Sequence, residues 1–447
     1  MDVGQRVRKK WIRAGKWHMI SLTLSLKNGR NMTMSGTGAI RVYGYRWVIL
    51  AVYALITAVL EVHWVNFAPI TTEATAFYGV STLDIGFLSM SFMLVYLVVC
   101  IPASYIIDTY GIRIGVGTGA VLTGLFGLLK GVYAADYHMI LVCQIGLAVA
   151  QPFILNAITK VAANWFPLGE RATAAGLATL SQFVGIILAM VLTPQLLKGY
   201  SMHAMLMVYG AASAVSALVC VAFLREAPPT PPSHVTEHER FQVFEGLRHI
   251  FGQRDMRILM VIFFIGLGMF NAVTTWIEQI LAPRGYGSEQ AGLIGAMMMI
   301  GGIAGAICLP LLSDKFRRRK PFLLLAILGT VPGLVGLTFM TGYGALLVSG
   351  FVLGFFIMAA GPIGFQYGAE ISYPAPESTS QGLILLSGQV SGVIFIYGMD
   401  AFRSATTHSM TPFLIVFIVL GTLNLLMGSL MKESPLIGKS EDMPTDG

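Results

Sequence analysis

The chain has 447 residues, 55% of them hydrophobic and only 11% charged, with a formal net charge of +7 and a mean hydropathy of +0.72. An ordinary soluble domain carries about a quarter of its residues as charges, so this composition excludes one and puts all but the ends of the chain in lipid. The four cysteines, Cys100, Cys143, Cys220 and Cys308, have neither a pairing pattern nor metal-ligand spacing and read as small core residues, with no metal or cofactor implied.

Residues 1–45 form a basic N-terminal tail. It reads as unstructured, or alternatively as an amphipathic segment through Val7, Trp11, Ala14 and Trp17 lying on anionic lipid. Met34 is an alternative start. Apolar stretches of roughly 20 residues, bounded by charge, Gly or Pro, then predict membrane helices. Twelve are legible: about 46–68, 82–107, 113–134, 138–160, 171–194, 203–224, 257–281, 289–312, 321–341, 344–370, 378–401 and 412–431. They group into a bundle over 46–224 and a second over 257–431, joined by a polar linker over 225–256 that opens with Pro228-Pro-Thr-Pro-Pro232 and continues into an amphipathic stretch around Phe241–Phe251. A short tail, 432–447, closes the chain.

Lys and Arg are retained on the cytoplasmic flanks of membrane helices. Of the 29 in this chain, all but Lys130, Lys198, Arg284 and Arg403 fall on the side that holds both termini, which predicts cytoplasmic termini in a plasma or inner membrane. The positive excess is therefore topological, and no aromatic-interleaved basic groove suggests nucleic acid. The triplet Asn31-Met-Thr is discounted as a glycosylation site because it lies on the cytoplasmic side.

The two bundles are copies of one another at an offset of about 206 to 210 residues. Asp108 after the second span returns as Asp314 after the eighth, Gln182 returns as Gln389, and Trp165-Phe-Pro-Leu-Gly-Glu170 returns as Tyr373-Pro-Ala-Pro-Glu377. Duplicated halves of this size are the pattern of secondary transporters that bind substrate near midplane between the halves. Ile107-Asp108-Thr-Tyr-Gly111-Ile-Arg113 and Ser313-Asp314-Lys-Phe-Arg-Arg318-Arg-Lys320 resemble the loop signature G-x-x-x-D-R-x-G-R-R of the major facilitator superfamily. A helix-end carboxylate followed by basic residues can engage a neighbouring helix N-terminus and latch the halves. Asp108, Gly111, Arg113, Asp314, Arg318 and Glu370 are accordingly expected at the gate. The first copy departs from the signature, with Thr109 for the usual Arg and Ser104 for the leading Gly.

Polar residues inside spans are costly and mark function or paired structure. Glu61 and Trp64 are three apart, hence on one helix face, where a carboxylate and a π face can meet one cation. The alternative for Trp64 is a packing role. Asn271, Thr274, Thr275 and Glu278 form one polar stripe on the seventh span, while Trp276 falls off it and packs against lipid or a neighbouring helix. Gln144 and Gln151 share a face with Ala148, leaving room for a ligand beside two amides. Glu61 is read as a counter-charge or a proton-coupling group, His63 as a structural histidine, and Glu370 as holding the tenth helix end.

Three stretches resemble the feline leukaemia virus subgroup C receptor family of facilitators. They are Glu61-Val-His-Trp64-Val-Asn-Phe-Ala-Pro69 with Phe77-Tyr-Gly-Val80, Ala150-Gln151-Pro-Phe-Ile-Leu155 with Trp165-Phe166, and Gly364-Phe-Gln-Tyr-Gly-Ala-Glu370-Ile-Ser-Tyr-Pro374 running into Gly382 and Gln389. The resemblance implies a major facilitator fold, an all-α membrane protein of twelve helices in two pseudo-symmetric bundles. It also implies choline or ethanolamine as the substrate class, with haem export an earlier association of the family. Motif by motif, it carries a cation site to Trp64, Gln151, Asn271 and Gln389. Asn271 stands where the family has an aromatic, which favours an ethanolamine-like amine over choline.

The expectation is a monomeric secondary carrier of a small organic amine or cation, working by alternating access, with Trp64, Glu61, Gln151, Asn271, Glu278 and Gln389 at the substrate and a proton or ion as an optional coupling partner. The alternatives are a proton-coupled carrier of organic anions or metabolites, against which stands the lack of a midspan Lys or Arg, and a haem exporter or non-transporting receptor. No Ser/His/Asp constellation, phosphate loop or metal cluster suggests an enzyme.

Overall fold

Each expected span is a helix in the computed structural model, which describes residues 42–167, 170–230, 243–373, 377–404 and 406–434. In chain order the long helices are α1 (Arg46–Val65), α2 (Thr82–Tyr110), α3 (Ile112–Val132), α4 (Tyr137–Leu155), α5 (Arg171–Gly199) and α6 (Met202–Phe223). After the linker come α7 (Arg254–Thr275), α8 (Ser288–Lys315), α9 (Lys320–Phe339), α10 (Tyr343–Ser372), α11 (Glu377–Ala401) and α12 (Thr411–Ser429). Among the described residues there are no strands, and twelve helices are long and apolar enough to cross a membrane. The tail to Arg41 with Met34 and the Asn31 triplet, the linker residues 231–242, and the chain beyond Ser434 lie outside the described residues. The amphipathic linker stretch continues inside them as the helix Val243–Gly252, with Ile250 buried and Phe251 exposed.

Short connections make consecutive helices alternate in direction, so α1 and α12 share one face of the bundle, here the termini face, and the opposite one is the far face. Local sequence sets the turns. At the far face Ser81 and Asp84 form a capping box on α2, Asp136 accepts from the amides of His138 and Met139 at the start of α4, and Ser201 accepts from Ala204 N on α6. At the termini face Gly111 sits at φ 88°, and a Cβ there would run into the carboxyl of Glu226, so only glycine fits between α2 and α3.

That carboxyl caps a helix. Glu226 accepts from Ile112 N at 3.1 Å and Arg113 N at 2.8 Å, placing an anion on the unpaired amides at the start of α3. Glu433 does the same for α9, accepting from Arg319 N at 2.9 Å and Lys320 N at 3.0 Å. The two carboxylates are repeat mates within Leu224-Arg-Glu226-Ala-Pro228 and Met431-Lys-Glu433-Ser-Pro435.

Two apolar clusters show where the halves join. One runs through α1–α6 and continues into the far-face portions of α7–α12, through Met269, Trp276, Ile294, Leu353 and Phe413. The other, built on Met256, Leu259, Leu309, Leu323 and Ile384, belongs to the termini-face ends of α7–α11. The halves meet along α2 against α11 and α5 against α8. Small residues permit that approach: Gly86 lies under the ring of Trp276, and Gly292 and Gly295 lie against Met190. Cys143 and Cys220 are buried as expected, Cys100 partly so, and Cys308 is exposed on the flank of α8 instead of in the core.

Candidate functional site

Helices α1 and α7 both break before the far face. The first ends at Val65 and resumes as Thr71–Tyr78 after a 3-10 turn holding Pro69; the second ends at Thr275 and resumes as Ile277–Leu281. Broken helices related by an internal repeat are where carriers expose polar groups at membrane depth. Glu61 and Trp64 lie in the last turn and a half of α1, and Asn271, Thr274 and Thr275 in the last turn and a half of α7.

Glu61 is 2% exposed, and its one hydrogen bond is from Gln151 Nε2 on α4 at 3.4 Å. The structure thus brings together two of the expected site residues. Trp64 is buried with its indole Nε1 lacking a protein partner, and its carbonyl accepts from Ser89 Oγ of α2. Within the second bundle, Asn271 Nδ2 donates to Gly388 O on α11 at 3.4 Å, one residue from Gln389, which is half-buried. Gly392 of α11 is closed in by Met93 of α2 and Asn271. The hydroxyls of Thr274 and Thr275 are buried without partners. A buried carboxyl with one long bond from a neutral amide, an indole N–H without a protein partner and two such hydroxyls are buried polar groups that call for an explanation.

Glu278 stands apart from that set. Its carboxylate accepts from Thr72 Oγ1 at 2.7 Å, Thr72 N at 3.2 Å and Gln279 Nε2 at 2.6 Å. Gln279 also donates to Thr72 Oγ1 and accepts from Arg403 Nη2 at 2.7 Å, while Arg403 Nη1 donates to Thr82 Oγ1. Thr72 and Thr82 belong to the first six helices and the others to the last six, so this knot ties the halves at the far face. Lys198 and Glu289, bridged at 2.9 Å, tie α5 to α8 there as well. Trp276, which the polar stripe skips, is fully buried and donates to Ile396 O at 3.0 Å.

The paired loop motifs at the termini face are engaged within each half. Asp108 meets Lys160 at 3.6 Å, and Lys160 Nζ also donates to the α2 carbonyls Ile107 O and Asp108 O. In the other half Arg319, not Arg318, takes Asp314 and also Glu370, the latter at 3.2 Å, while the Arg318 side chain is exposed and its carbonyl accepts from Ser313 Oγ. Burial pulls the Arg319 guanidinium down, yet Asp314 and Glu370 outweigh it and hold it above its ordinary value. Arg113 contributes its backbone amide to Glu226, with its side chain exposed. Exposed pairs such as Asp108–Lys160 are worth about 0–1 kcal/mol, so the part-buried triad around Arg319 dominates.

A further buried group escaped the sequence. Lys130, counted there as a flank charge, is fully buried in the last turn of α3, donating to Asn66 Oδ1 at 3.2 Å and Gln144 Oε1 at 2.5 Å and lying 4.8 Å from the ring centroid of Phe67. Gln144 Nε2 donates to His63 O, and His63 Nε2 pairs with Ser213 Oγ. Gln144 is therefore committed to Lys130 and the α1 break, not to a ligand beside Gln151. The signal was present as Lys130 ending a glycine-rich helix opposite Asn66, but spacing alone does not reveal that three helices converge there.

The sequence profile of the Major Facilitator Superfamily matches residues 40–396. The chain is 31% identical to Solute carrier family 49 member A3 of Xenopus tropicalis, covering 83% of this chain and 81% of that protein. It is 30% identical to the Choline/ethanolamine transporter FLVCR1 of Felis catus over 90% of this chain and 78% of that one, and 26% identical to the Choline/ethanolamine transporter FLVCR2 of Homo sapiens over 86% and 77%. Among solved structures, a bacterial homologue of the human lysosomal transporter Spinster, inward-facing and unoccupied, superposes with a TM-score of 0.70 at 14% identity, covering 87% of this chain and 98% of that one. A D-xylose-proton symporter gives 0.68 at 15% identity, covering 88% and 99%.

Proposed function

The chain belongs to the major facilitator superfamily, and we propose that it is a secondary carrier of a small organic amine, ethanolamine-like in preference to choline, working by alternating access. It is an integral membrane protein of a family of membrane transporters. The observation that carries the amine reading is Glu61: a carboxyl 2% exposed, bonded only by the neutral amide of Gln151 and one helical turn from the indole of Trp64. A carboxylate so placed is short of a positive charge, and an ammonium group supplies one while its substituents contact the π face. The curated relatives named for choline and ethanolamine support the same substrate class. The knot at the far face and the separate termini-face core suit a carrier closed on the far side.

With the termini cytoplasmic, as the placement of Lys and Arg favours, the far face is external and the resting form is open to the cell interior. The bundles over 46–224 and 257–431 then rock as units, and the Thr72–Glu278–Gln279–Arg403 knot breaks when substrate enters from outside. Glu278 serves this gate, and Trp64, Glu61, Gln151, Asn271 and Gln389 serve the ligand. A thermal-shift screen of purified protein against amines, betaines, amino acids and haem tests the reading, since a ligand raises stability with its occupancy. Ethanolamine is expected to raise the midpoint; a shift by haem or an organic anion with none by any amine would overturn the proposal.

A further inference from the structure

Of the three buried carboxyls in the described residues, Glu61, Glu278 and Glu370, Glu61 is the one that meets no protein cation and only a single donor. Glu278 has three donor contacts from Thr72 and Gln279, and Glu370 has Arg319 and Gln366. The charged and titratable groups on elements packed against α1 have partners of their own or, like Arg113, His138 and His203, are exposed. Lys130 of α3 is held by Asn66 and Gln144, Lys160 by Asp108, and Lys198 of α5 by Glu289, while Arg171 of α5 donates to Phe166 O. On α1 itself His63 bonds Ser213 and Arg46 bonds Glu170. Tyr96 of α2 bonds Asn156, Tyr53 bonds Ile154 O, Tyr209 of α6 pairs with Thr193, and Cys143 of α4 and Cys220 of α6 are buried thiols.

Resting on the amine reading above, we propose that Glu61 binds the ammonium group and a proton in alternation, so that the carrier exchanges one amine cation for one proton. To turn over, the halves must enclose this carboxyl, and enclosing it ionised and unpaired is costly. Two forms escape that cost: the ion pair with the amine, and the protonated acid, which Gln151 bonds through its amide. The empty, ionised form stays where it is. On one side the ammonium arrives and the Glu61 proton leaves to that solution; on the other a proton reaches the carboxylate and the amine departs. One positive charge crosses in each direction, so no bond but the O–H is made or broken and the cycle is electrically silent. This sets it apart from a uniport, in which the membrane potential would drive accumulation.

The test uses the full chain in proteoliposomes with labelled choline, which has no proton on nitrogen to lose, and labelled ethanolamine corrected against protein-free vesicles. An interior more acid by about one pH unit should concentrate the amine about tenfold, with alkalinisation of the lumen, while an inside-negative potassium diffusion potential at equal pH should concentrate neither. Glu61→Gln should lose the pH-driven accumulation. Should that variant misfold, the comparison of the two driving forces on the unmodified chain still decides. Accumulation that follows potential and ignores pH overturns the exchange and leaves the amine reading standing. No protein-dependent movement of either amine under any gradient overturns both.

Discussion

Trp64 and Asn271 occupy repeat-related positions just before the breaks in α1 and α7, yet they offer a ligand different chemistry. An indole face attracts any ammonium, whereas the Asn271 amide oxygen accepts a hydrogen bond that a primary amine can give and a quaternary one cannot. Asn271→Tyr should therefore move the preference toward choline by roughly tenfold, the worth of about one cation–π contact of 0.5–2 kcal/mol. Met93 and Gly392 crowd the position, so Met93 must shift to admit the larger ring. Competition by both amines against one labelled substrate measures the change; an unchanged ratio would remove Asn271 from the cation site. Glu61, Trp64 and Asn271 stood out in the sequence because polar groups in long apolar runs need a reason. Lys130 did not, since a basic residue at the end of a span looks the same whether it reaches water or folds back onto Asn66 and Gln144.

Among the elements, the duplicated loop motifs were legible as pairs but their partners were not. Arg319 gathers Asp314 and also Glu370, which arrives from the end of α10 more than fifty residues away, and no local spacing encodes that meeting. The carboxylate caps were visible only in retrospect, as Glu226 and Glu433 each following an apolar span and preceding a proline. Glu226 receives two backbone amides and Asn164 Nδ2 and is part-buried, while Glu433 is exposed. Loss of a helix N-terminal cap costs about 0.5–2 kcal/mol, and the deeper cap should cost more. Glu226→Ala should lower the thermal midpoint further than Glu433→Ala; equal shifts would show that burial does not strengthen the α3 cap. Charge is the relevant quantity, so added salt should weaken the exposed cap first.

For the whole molecule, twelve spans and the internal repeat were legible because lipid demands long apolar helices and duplication leaves matched residues. Which contacts join the halves was not, because they bring together residues from opposite halves, such as Thr72 with Glu278 and Gly295 with Met190. A Cβ on Gly295 would lie 3.3 Å from Met190 Cγ, within reach of a disulfide. Met190→Cys with Gly295→Cys should therefore cross-link on oxidation, stop transport and recover it on reduction; undiminished flux in the cross-linked protein would mean that α5 and α8 need not part at the far face. The central claim, that a buried carboxyl and a buried indole on α1 receive an amine, is tested most directly by equilibrium binding of ethanolamine to purified protein carrying Trp64→Phe, Trp64→Ala or Glu61→Gln. Binding should fall modestly in the first, by roughly tenfold or more in the second and below detection in the third, reflecting a π contact of about 0.5–2 kcal/mol set against the loss of the counter-charge. Ethanolamine binding unchanged in both Trp64→Ala and Glu61→Gln would contradict it.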